Sequence, residues 1–228
     1  MQAVAFFKHG DLDQITLSDV PEPVIGPDDA LLKIKAAALN RLDLWVLKGW
    51  PGLDLKLPHV TGSDGAGVIT KLGQNVTEYM VGDRVAVNPT LSCGNCSFCQ
   101  RGQDNLCQDF AIFGEHVDGF CAEYAAVPAR NLLALPDHVP FSSAAAASLV
   151  FVTAWHSLIT RGRLQSGESV LVVGAGGGVN TAAIQIAKLA GAGPTYVIGS
   201  SDAKLDLARQ LGADVTINRT KENWGKAV

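Results

Sequence analysis

The residues best suited to chemistry are four cysteines within a short segment: Cys93, Cys96, Cys99 and Cys107. Their spacings of three, three and eight positions allow a single loop to wrap one metal ion. Tetrahedral zinc accepts four thiolates at about 2.3 Å, and a site with four protein ligands keeps no open position for substrate. The segment therefore predicts one structural zinc ion.

Two other interpretations of these cysteines stay open. A coincidental or redox-active cluster is disfavoured, because four clustered thiols without a ligand are costly to maintain. An iron–sulfur cluster is the closer rival, since successive Cys-x-x-Cys steps also open bacterial ferredoxin motifs. Against it, seven residues rather than three precede the fourth cysteine, and Gln108 rather than proline follows it. The fifth cysteine, Cys121, is interpreted as an ordinary core thiol.

A glycine-rich turn from Gly174 to Asn180 is the second chemical signal. It follows an apolar segment and precedes a helical pattern, a place where glycines let the backbone approach a pyrophosphate at a helix N-terminus. The match to known fingerprints is incomplete. Asn180 replaces the third glycine of G-x-x-G-x-x-G, and Val179 replaces that of G-x-G-x-x-G. A plain tight turn is the alternative.

Composition limits the class of protein. A chain of 228 residues that is 47% hydrophobic and 18% charged can bury a core and is not disordered. A net charge of −4, with no long run of one sign, argues against nucleic-acid and membrane-surface binding. No apolar run reaches the ~20 residues of a membrane span, and no signal peptide is visible. The expected compartment is the cytoplasm, where clustered thiols favour metal over disulfides.

The predicted elements change in character near residue 140. One short helix is predicted at 41–48, between strands that Pro, Gly and Asp clusters separate. The strands are predicted at 2–7, 15–17, 31–38, 65–72, 84–87 and 121–127. This pattern is typical of an irregular β barrel, and we assign it to a first domain at 1–150.

The remainder, 151–228, alternates strands and helices. A helix predicted at 141–149 precedes this part. Within it, helices are predicted at 152–159, 181–190 and 203–211, and strands at 169–173, 195–198 and 214–218. Asp202 is the predicted N-cap of the last of these helices, and a further helix is expected to begin at Glu222. Strand, helix, strand, helix, strand is half of a doubly wound parallel sheet. The fold class is therefore α/β plus β.

The chain resembles the zinc-type alcohol dehydrogenase family, the medium-chain dehydrogenases and reductases, from Met1 to about Asn218. The resemblance rests on the cysteine segment, the glycine turn, GSDGAGVITKLG (62–73), VGDRVAV (81–87), DGFCAEY (118–124) and TAW (153–155). It implies a GroES-like barrel followed by a Rossmann domain, hydride transfer with a nicotinamide cofactor, and a structural zinc on the four cysteines. Because family chains continue beyond three Rossmann strands, we expect this chain to be a fragment or a truncated gene product.

At the family's catalytic-zinc ligand positions this chain differs. Those places hold Asn40, Ser63, Asp64 and Leu149, and Leu42 stands where the family relays a proton through a hydroxyl. The pattern resembles the zinc-independent quinone oxidoreductases, which also carry Asn at the first place. We expect Asn40, Ser63 and Asp64 to form the catalytic group, with Asn40 and Ser63 donating hydrogen bonds. The predicted reaction is hydride transfer from NAD(P)H to a quinone or conjugated carbonyl without a catalytic zinc.

Two alternatives to this function stay open. One is a zinc-dependent alcohol dehydrogenase in which other residues, such as Asp43 or His59, replace the missing ligands. The other is a nucleotide-binding protein without activity. In the enzymatic cases the partner is a small molecule, a quinone, an enone or an alcohol and its aldehyde, and the full-length protein is expected to be a homo-oligomer.

The resemblance also implies a cofactor site. The expected contacts are Thr153, Gly174, Gly177, Gly178, Val179, Ser200, Lys204 and Arg219. We predict a preference for NADP(H) over NAD(H), because Gly199 occupies the place where NAD-specific folds carry an acidic residue. Lys204 and Arg219 then offer positive charge to a 2′-phosphate. If Asp202 faced the ribose instead, the preference would be reversed.

Overall fold

The computed structural model describes residues 1–226. The chain divides into two compact units, Met1–Leu149 and Val150–Val228. The first unit is built almost entirely of antiparallel strands, and the second of a parallel sheet with helices. The predicted fold class, an all-β part followed by an α/β part, is confirmed.

The first unit contains ten strands and one helix of its own. The helix, α1, spans Arg41–Lys48. The strands are β1 Gln2–Phe6, β2 Thr16–Asp19, β3 Asp29–Ala38, β4 His59–Val60, β5 Asp64–Leu72, β6 Arg84–Val87, β7 Thr90–Leu91, β8 Ala111–Ile112, β9 Tyr124–Pro128 and β10 Leu132–Ala134. They form a five-stranded sheet in the order β10-β6-β5-β3-β9, a three-stranded sheet β2-β1-β4, and the pair β7-β8.

The core of the first unit lies against the five-stranded sheet. Leu32, Ile69 and Val85 are buried there with Phe120. Gly67 of β5 lets the two central strands approach closely, since a Cβ at that position would lie 2.3 Å from the carbonyl oxygen of Lys33. A larger residue at position 67 would therefore push β5 away from β3.

The second unit contains a three-stranded parallel sheet in the order β11-β12-β13. The strands are β11 Val170–Val173, β12 Thr195–Gly199 and β13 Val215–Asn218, and the connecting helices are α3 Gly178–Leu189 and α4 Asp202–Gln210. Val172, Val197 and Ile184 are buried between sheet and helices with Leu205. Because the strands run parallel, the carboxyl ends of all three lie at one edge of the sheet.

Several element boundaries differ from the sequence predictions; β9, for example, begins at Tyr124 rather than at residue 121. The two helices predicted at 141–149 and 152–159 are one helix, α2 (Phe141–Trp155), continued by a π-helical turn to Arg161. The predicted break at 150–151 is helical, and beside it the hydroxyl of Ser148 donates to the carbonyl oxygen of Ala144 within the helix. The N-cap of α4 is Ser201 rather than Asp202. The helix expected from Glu222 is, within the described residues, a short 3₁₀ turn at Trp224–Lys226.

The helix of residues 141–161 is also longer than the apolar run visible in the sequence. It has 21 residues, with a mean hydropathy of 1.4 over its most apolar window, of which 17% is buried. By length and composition alone it could cross a membrane, and core helices of soluble proteins pass the same criterion. One such helix is weak evidence for a membrane span. The sequence predicts no membrane span, because the apolar run visible in it ends at Trp155. The helix continues beyond it through the π-helical turn to Arg161.

Candidate functional site

The four predicted metal ligands come together in the segment 93–107, which we call the cysteine loop. Their Sγ atoms all lie within 4.8 Å of one another. The Sγ of Cys99 is 3.5 Å from that of Cys96 and 3.9 Å from that of Cys93. A tetrahedron with metal–sulfur bonds of about 2.3 Å has edges of about 3.8 Å. The donor set and its spacing therefore fit one zinc ion.

The backbone of the cysteine loop prepares these thiols to bind a cation. The N–H of Cys96 donates to the Sγ of Cys93, and the N–H of Cys93 donates to the Sγ of Cys107, both at 3.3 Å. The backbone N–H of Cys99 lowers the pKa of the Cys96 thiol to about 7. Desolvation, together with the neighbouring Cys96, raises the pKa of Cys99 to about 12. Zinc binds thiolates, so metal binding would displace the protons that these thiols hold.

The compact spacing also bears on the iron–sulfur alternative. Such a cluster places several iron and sulfide atoms between its cysteine ligands. Sulfur–sulfur separations of 3.5 and 3.9 Å leave room for a single ion and not for a polynuclear cluster. Within residues 1–226, the cysteine loop is the one group of three or more His, Cys, Asp or Glu side chains close enough to hold a metal.

Three of the four residues at the expected catalytic-zinc places form a hydrogen-bonded group instead. The pairing of Ala38 with Asp64 brings the end of β3 to the start of β5. Asn40 donates from Nδ2 to Oδ2 of Asp64 at 2.8 Å, and the N–H of Leu149 donates to Oδ1 at 2.7 Å. Burial raises the pKa of Asp64, against the opposing effect of these two donors. Both carboxylate oxygens are therefore engaged by protein donors.

The fourth residue, Ser63, is enclosed in the first unit. Its side chain is 0% exposed, and its hydroxyl has no hydrogen-bond partner among residues 1–226. Asn40, in contrast, is half-buried and keeps a second amide N–H after bonding to Asp64. Of the two predicted donors, Asn40 alone therefore has surface through which it can reach a ligand.

Asp43 and His59, considered above as substitute zinc ligands, both have contacts elsewhere, although Oδ1 of Asp43 is buried with no hydrogen-bond partner among residues 1–226. Asp43 accepts from the backbone N–H of Asn40 at 2.6 Å, and burial raises the pKa of its carboxyl. His59 is buried, with Nε2 3.2 Å from the carbonyl oxygen of Gly114 and Nδ1 3.8 Å from Asp118. Burial lowers the pKa of His59. The two side chains do not belong to any metal-holding group within the described chain.

In the second unit, a cavity of about 630 Å³ lies at the carboxyl edge of the parallel sheet; we call it the glycine pocket. Its lining includes the turn 173–177, the end of β12 with Ser200, and the side chains of Lys204, Arg219 and Trp224. Gly174 has a φ of +115°, which glycine adopts without strain. The pocket thus combines exposed backbone, the N-terminus of α3 and two cations.

Asn180 holds the turn in place of the missing third glycine. Its Nδ2 donates to the carbonyl oxygens of Val173 and Gly174 at 3.1 and 2.9 Å. A Cβ on Gly174 would lie 2.2 Å from that nitrogen, so the close approach requires glycine there. Asn180, which departs from the glycine fingerprint, therefore stabilises the turn by its own hydrogen bonds. The spacing of the glycines did not predict this role.

Two charged residues near the pocket, Lys204 and Asp202, have different surroundings. The stem of Lys204 lies along Gly176, where a Cβ would approach its Cδ to 3.0 Å. Asp202 instead accepts from Nδ2 of Asn218 at 2.8 Å and pairs with Lys221 at 2.7 Å. The Lys221 ammonium, followed by the Asn218 amide, lowers the pKa of Asp202. The carboxylate that would favour NAD is thus already bound to neighbouring side chains.

Three predicted cofactor contacts do not line the glycine pocket: Thr153, Gly178 and Val179. Gly178 has a packing role, since a Cβ there would lie 2.9 Å from Cγ1 of Val150 on α2. Val179 follows it in the first turn of α3. The glycine turn predicts Gly178 and Val179, and the family resemblance predicts Thr153. Their contact with a cofactor stays a prediction.

Comparison with known proteins identifies the family. The alcohol dehydrogenase GroES-like domain matches residues 26–137, and the zinc-binding dehydrogenase domain matches residues 178–228. An alcohol dehydrogenase of Schizosaccharomyces pombe is 34% identical over 222 residues, covering 96% of this chain and 63% of the relative. An L-threonine 3-dehydrogenase of Pyrococcus horikoshii is 35% identical over 230 residues, covering 100% of this chain and 64% of the relative.

A solved structure agrees with these matches. The crystal structure of an NAD-dependent alcohol dehydrogenase superposes with a TM-score of 0.96 at 45% sequence identity, covering 100% of this chain and 66% of that one. The chain belongs to the zinc-type alcohol dehydrogenase family, with a GroES-like unit followed by a Rossmann-like unit. It spans 63% and 64% of the length of the two curated relatives named above.

Replacing one thiol tests the cysteine loop. We expect the purified chain to hold one zinc ion, and Cys96→Ser to retain well below one, because the tetrahedral site loses a ligand. The thermal unfolding midpoint should fall with the metal content. Cys121→Ser, outside the cluster, is the matched control and should keep its zinc. Elemental analysis that finds iron, or equal zinc in both variants, would contradict the assignment.

The Asp64 group makes a second prediction, on stability. Asp64→Ala should lower the free energy of unfolding by about 1–3 kcal/mol, because the acceptor of two buried hydrogen bonds is lost. The raised pKa of Asp64 adds a pH dependence. Its contribution is fully present below the ordinary carboxyl pKa and is lost as the pH rises through the higher folded-state pKa.

Urea denaturation across this pH range measures both effects. Asp64→Asn is the control, because it cannot ionise. The wild type should lose stability relative to Asp64→Asn as the pH rises. A difference between the two proteins that stays constant with pH would show that Asp64 does not titrate in the folded state as the structure implies.

Proposed function

We propose that this chain carries the substrate-binding and cofactor-binding parts of an NADP(H)-dependent oxidoreductase that reduces a quinone or conjugated carbonyl without a catalytic metal. The observation that carries the proposal is the Asn40–Asp64–Leu149 group. Both oxygens of the Asp64 carboxylate accept hydrogen bonds from the protein, at 2.8 and 2.7 Å. A group satisfied in this way orients an amide and is poorly suited to bind zinc.

The chemistry of the two reactions separates them. Alcohol oxidation requires an alkoxide, which a bound metal favours by lowering the pKa of the hydroxyl. Asparagine, serine and leucine at positions 40, 63 and 149 supply no thiolate or imidazole for such a metal. Reduction of a conjugated carbonyl instead develops negative charge on an enolate oxygen, which hydrogen-bond donors stabilise in a dry site.

Asn40 is the residue proposed to meet that charge. Asp64 holds one of its amide N–H groups, which fixes the plane of the amide and leaves the second N–H for the substrate oxygen. Hydride would pass from the reduced nicotinamide to the carbon conjugated with the carbonyl. The electron pair would move to the oxygen, and solvent would supply the proton. Ser63, being enclosed, is proposed to support the backbone here and not to contact substrate.

The proposed metal is one zinc ion in the cysteine loop, held by Cys93, Cys96, Cys99 and Cys107. With four thiolate ligands it would stabilise the fold of the loop and would present no open coordination position. Its contribution would be to the free energy of folding, because a loop of this kind has no hydrophobic core of its own.

A preference for NADP(H) is proposed from the charges around the glycine pocket. Gly199 places no carboxylate at the end of β12, while Lys204 and Arg219 line the cavity. Asp202 is paired with Lys221 and bonded to Asn218. A 2′-phosphate would therefore meet cations and no free carboxylate. NAD(H) gains nothing comparable, since its ribose hydroxyl needs an acceptor that Gly199 cannot offer.

A zinc-dependent alcohol dehydrogenase is the second candidate. Its support is the names of relatives, an alcohol dehydrogenase and an L-threonine 3-dehydrogenase, both similar to this chain over most of its length. It would require a second metal site in which Asp64 exchanged its present donors for zinc. A nucleotide-binding protein without activity is the third candidate, and cofactor binding with no turnover would favour it.

Metal content and turnover together test the proposed reaction. We expect one zinc per chain, and NADPH oxidation that depends on an added quinone or enone. The rate is expected to be low, because the chain spans less than two thirds of its relatives' length. Asn40→Ala should abolish turnover, and Asn40→Asp, which cannot donate when ionised, should do the same. Two zinc ions per chain with ethanol or threonine oxidation would instead establish the alcohol dehydrogenase.

Cofactor affinity tests the glycine pocket. Lys204→Ala combined with Arg219→Ala should weaken NADPH binding about ten- to hundredfold, as expected for loss of charged contacts, and leave NADH binding nearly unchanged. Lys188→Ala is the matched control, because it removes a cation of the same unit that pairs with Asp214 outside the pocket. Titration calorimetry measures both affinities. Equal loss for the two cofactors would contradict phosphate recognition.

A further inference from the structure

We propose that Arg130 is a positioning residue for the tetrathiolate metal centre, and that it controls how readily the cysteine loop releases its ion. The inference rests on the proposed zinc site. Arg130 lies outside the loop, in the 3₁₀ turn Ala129–Asn131 that connects β9 to β10. Its side chain nevertheless reaches residues 92–94, the turn that contains the first ligand, Cys93, which we call the ligand turn.

The contacts of Arg130 are with the backbone next to the first ligand. Nη1 donates to the carbonyl oxygen of Cys93 at 3.4 Å, and Nη2 donates to that of Ser92. The guanidinium also closes on Gly94, where a Cβ would lie 2.6 Å from Nη1. Gly94 has a φ of +76°, so the turn adopts a left-handed conformation directly beneath the guanidinium. One planar group thus bonds two consecutive residues, Ser92 and Cys93, and lies close against the third, Gly94.

The adjacent residue, Asn131, is hydrogen-bonded to residues 88–90, which precede the cysteine loop and which we call its stem. It is buried, and its Nδ2 donates to the carbonyl oxygens of Asn88 and Thr90 at 2.9 and 2.7 Å. The N–H of Asn88 donates back to the carbonyl oxygen of Asn131 at 2.8 Å. The turn therefore has two separate functions: Asn131 holds the stem, and Arg130 holds the ligand turn.

Charge gives Arg130 a second effect on the centre. Zinc with four thiolates carries a net charge of −2, and the cysteine loop itself contains one cation, Arg101, and one anion, Asp104. The guanidinium of Arg101 lies over the ring of Phe98. Arg130 is thus a cation from outside the loop that is bonded to the ligand turn. Hydrogen bonds outside the ligand shell are known to affect metal affinity by about 10–100-fold.

The test is the rate at which zinc leaves the holoprotein. Zinc-loaded wild type and Arg130→Met are mixed with excess 4-(2-pyridylazo)resorcinol, and the coloured zinc complex is followed over time. We expect release from Arg130→Met to be about tenfold faster. Arg130→Lys should lie between the two, because it keeps the charge and loses the planar pair of donors. Arg101→Met, which removes the same charge from the loop without a bond to the ligand turn, should behave like the wild type.

A spectroscopic measurement separates positioning from a general loss of stability. With Co²⁺ in place of zinc, Arg130→Met should shift the thiolate-to-metal charge-transfer band, and Arg101→Met should not. If Arg130→Met is too unstable to purify, Arg130→Lys alone decides, with a release rate above that of the wild type. Equal release rates in Arg130→Met and wild type, or in Arg130→Met and Arg101→Met, would overturn the inference. A wild-type chain that binds no zinc would instead overturn the proposed metal centre.

Discussion

The antiparallel pairing of β3 with β5 is the interaction on which the site of the first unit depends. It sets Ala38 opposite Asp64, and the chain then delivers Asn40 two residues beyond the end of β3. Gly67 permits the close approach of the strands, because a larger residue would meet the carbonyl of Lys33. A shift of one residue in this register would turn Asp64 to the opposite face and separate it from Asn40.

The parallel register of the second unit has the same importance for the glycine pocket. Val173 is paired with Ile198, and Gly199 with Asn218. The residues that follow each strand, among them Ser200 and Arg219, therefore meet at one edge. Ligands of open parallel sheets bind at this edge, where the strand ends expose backbone and a helix begins. The glycine pocket thus depends on strand order as much as on the glycines themselves.

Local patterns in the sequence were sufficient for the fold class and for part of the site. Four thiols within 93–107 can reach one another whatever the rest of the chain does, so their spacing predicted the cluster. The apolar strand, glycine turn and helix around Gly174 are likewise neighbours along the chain. The boundaries of α2 were predicted less well, because the local pattern did not show that the helix continues through residues 150–151.

The sequence by itself therefore determined which groups are available: four clustered thiols, a glycine turn, two cations, and no cysteine or histidine at positions 40, 63, 64 and 149. The tertiary structure alone decided how they are used. Asp64 bonds to residues 24 and 85 positions away, Ser63 is enclosed, and Asp202 is paired with Lys221. Burial and long-range hydrogen bonds depend on the approach of distant segments, and no spacing of neighbouring residues encodes that approach.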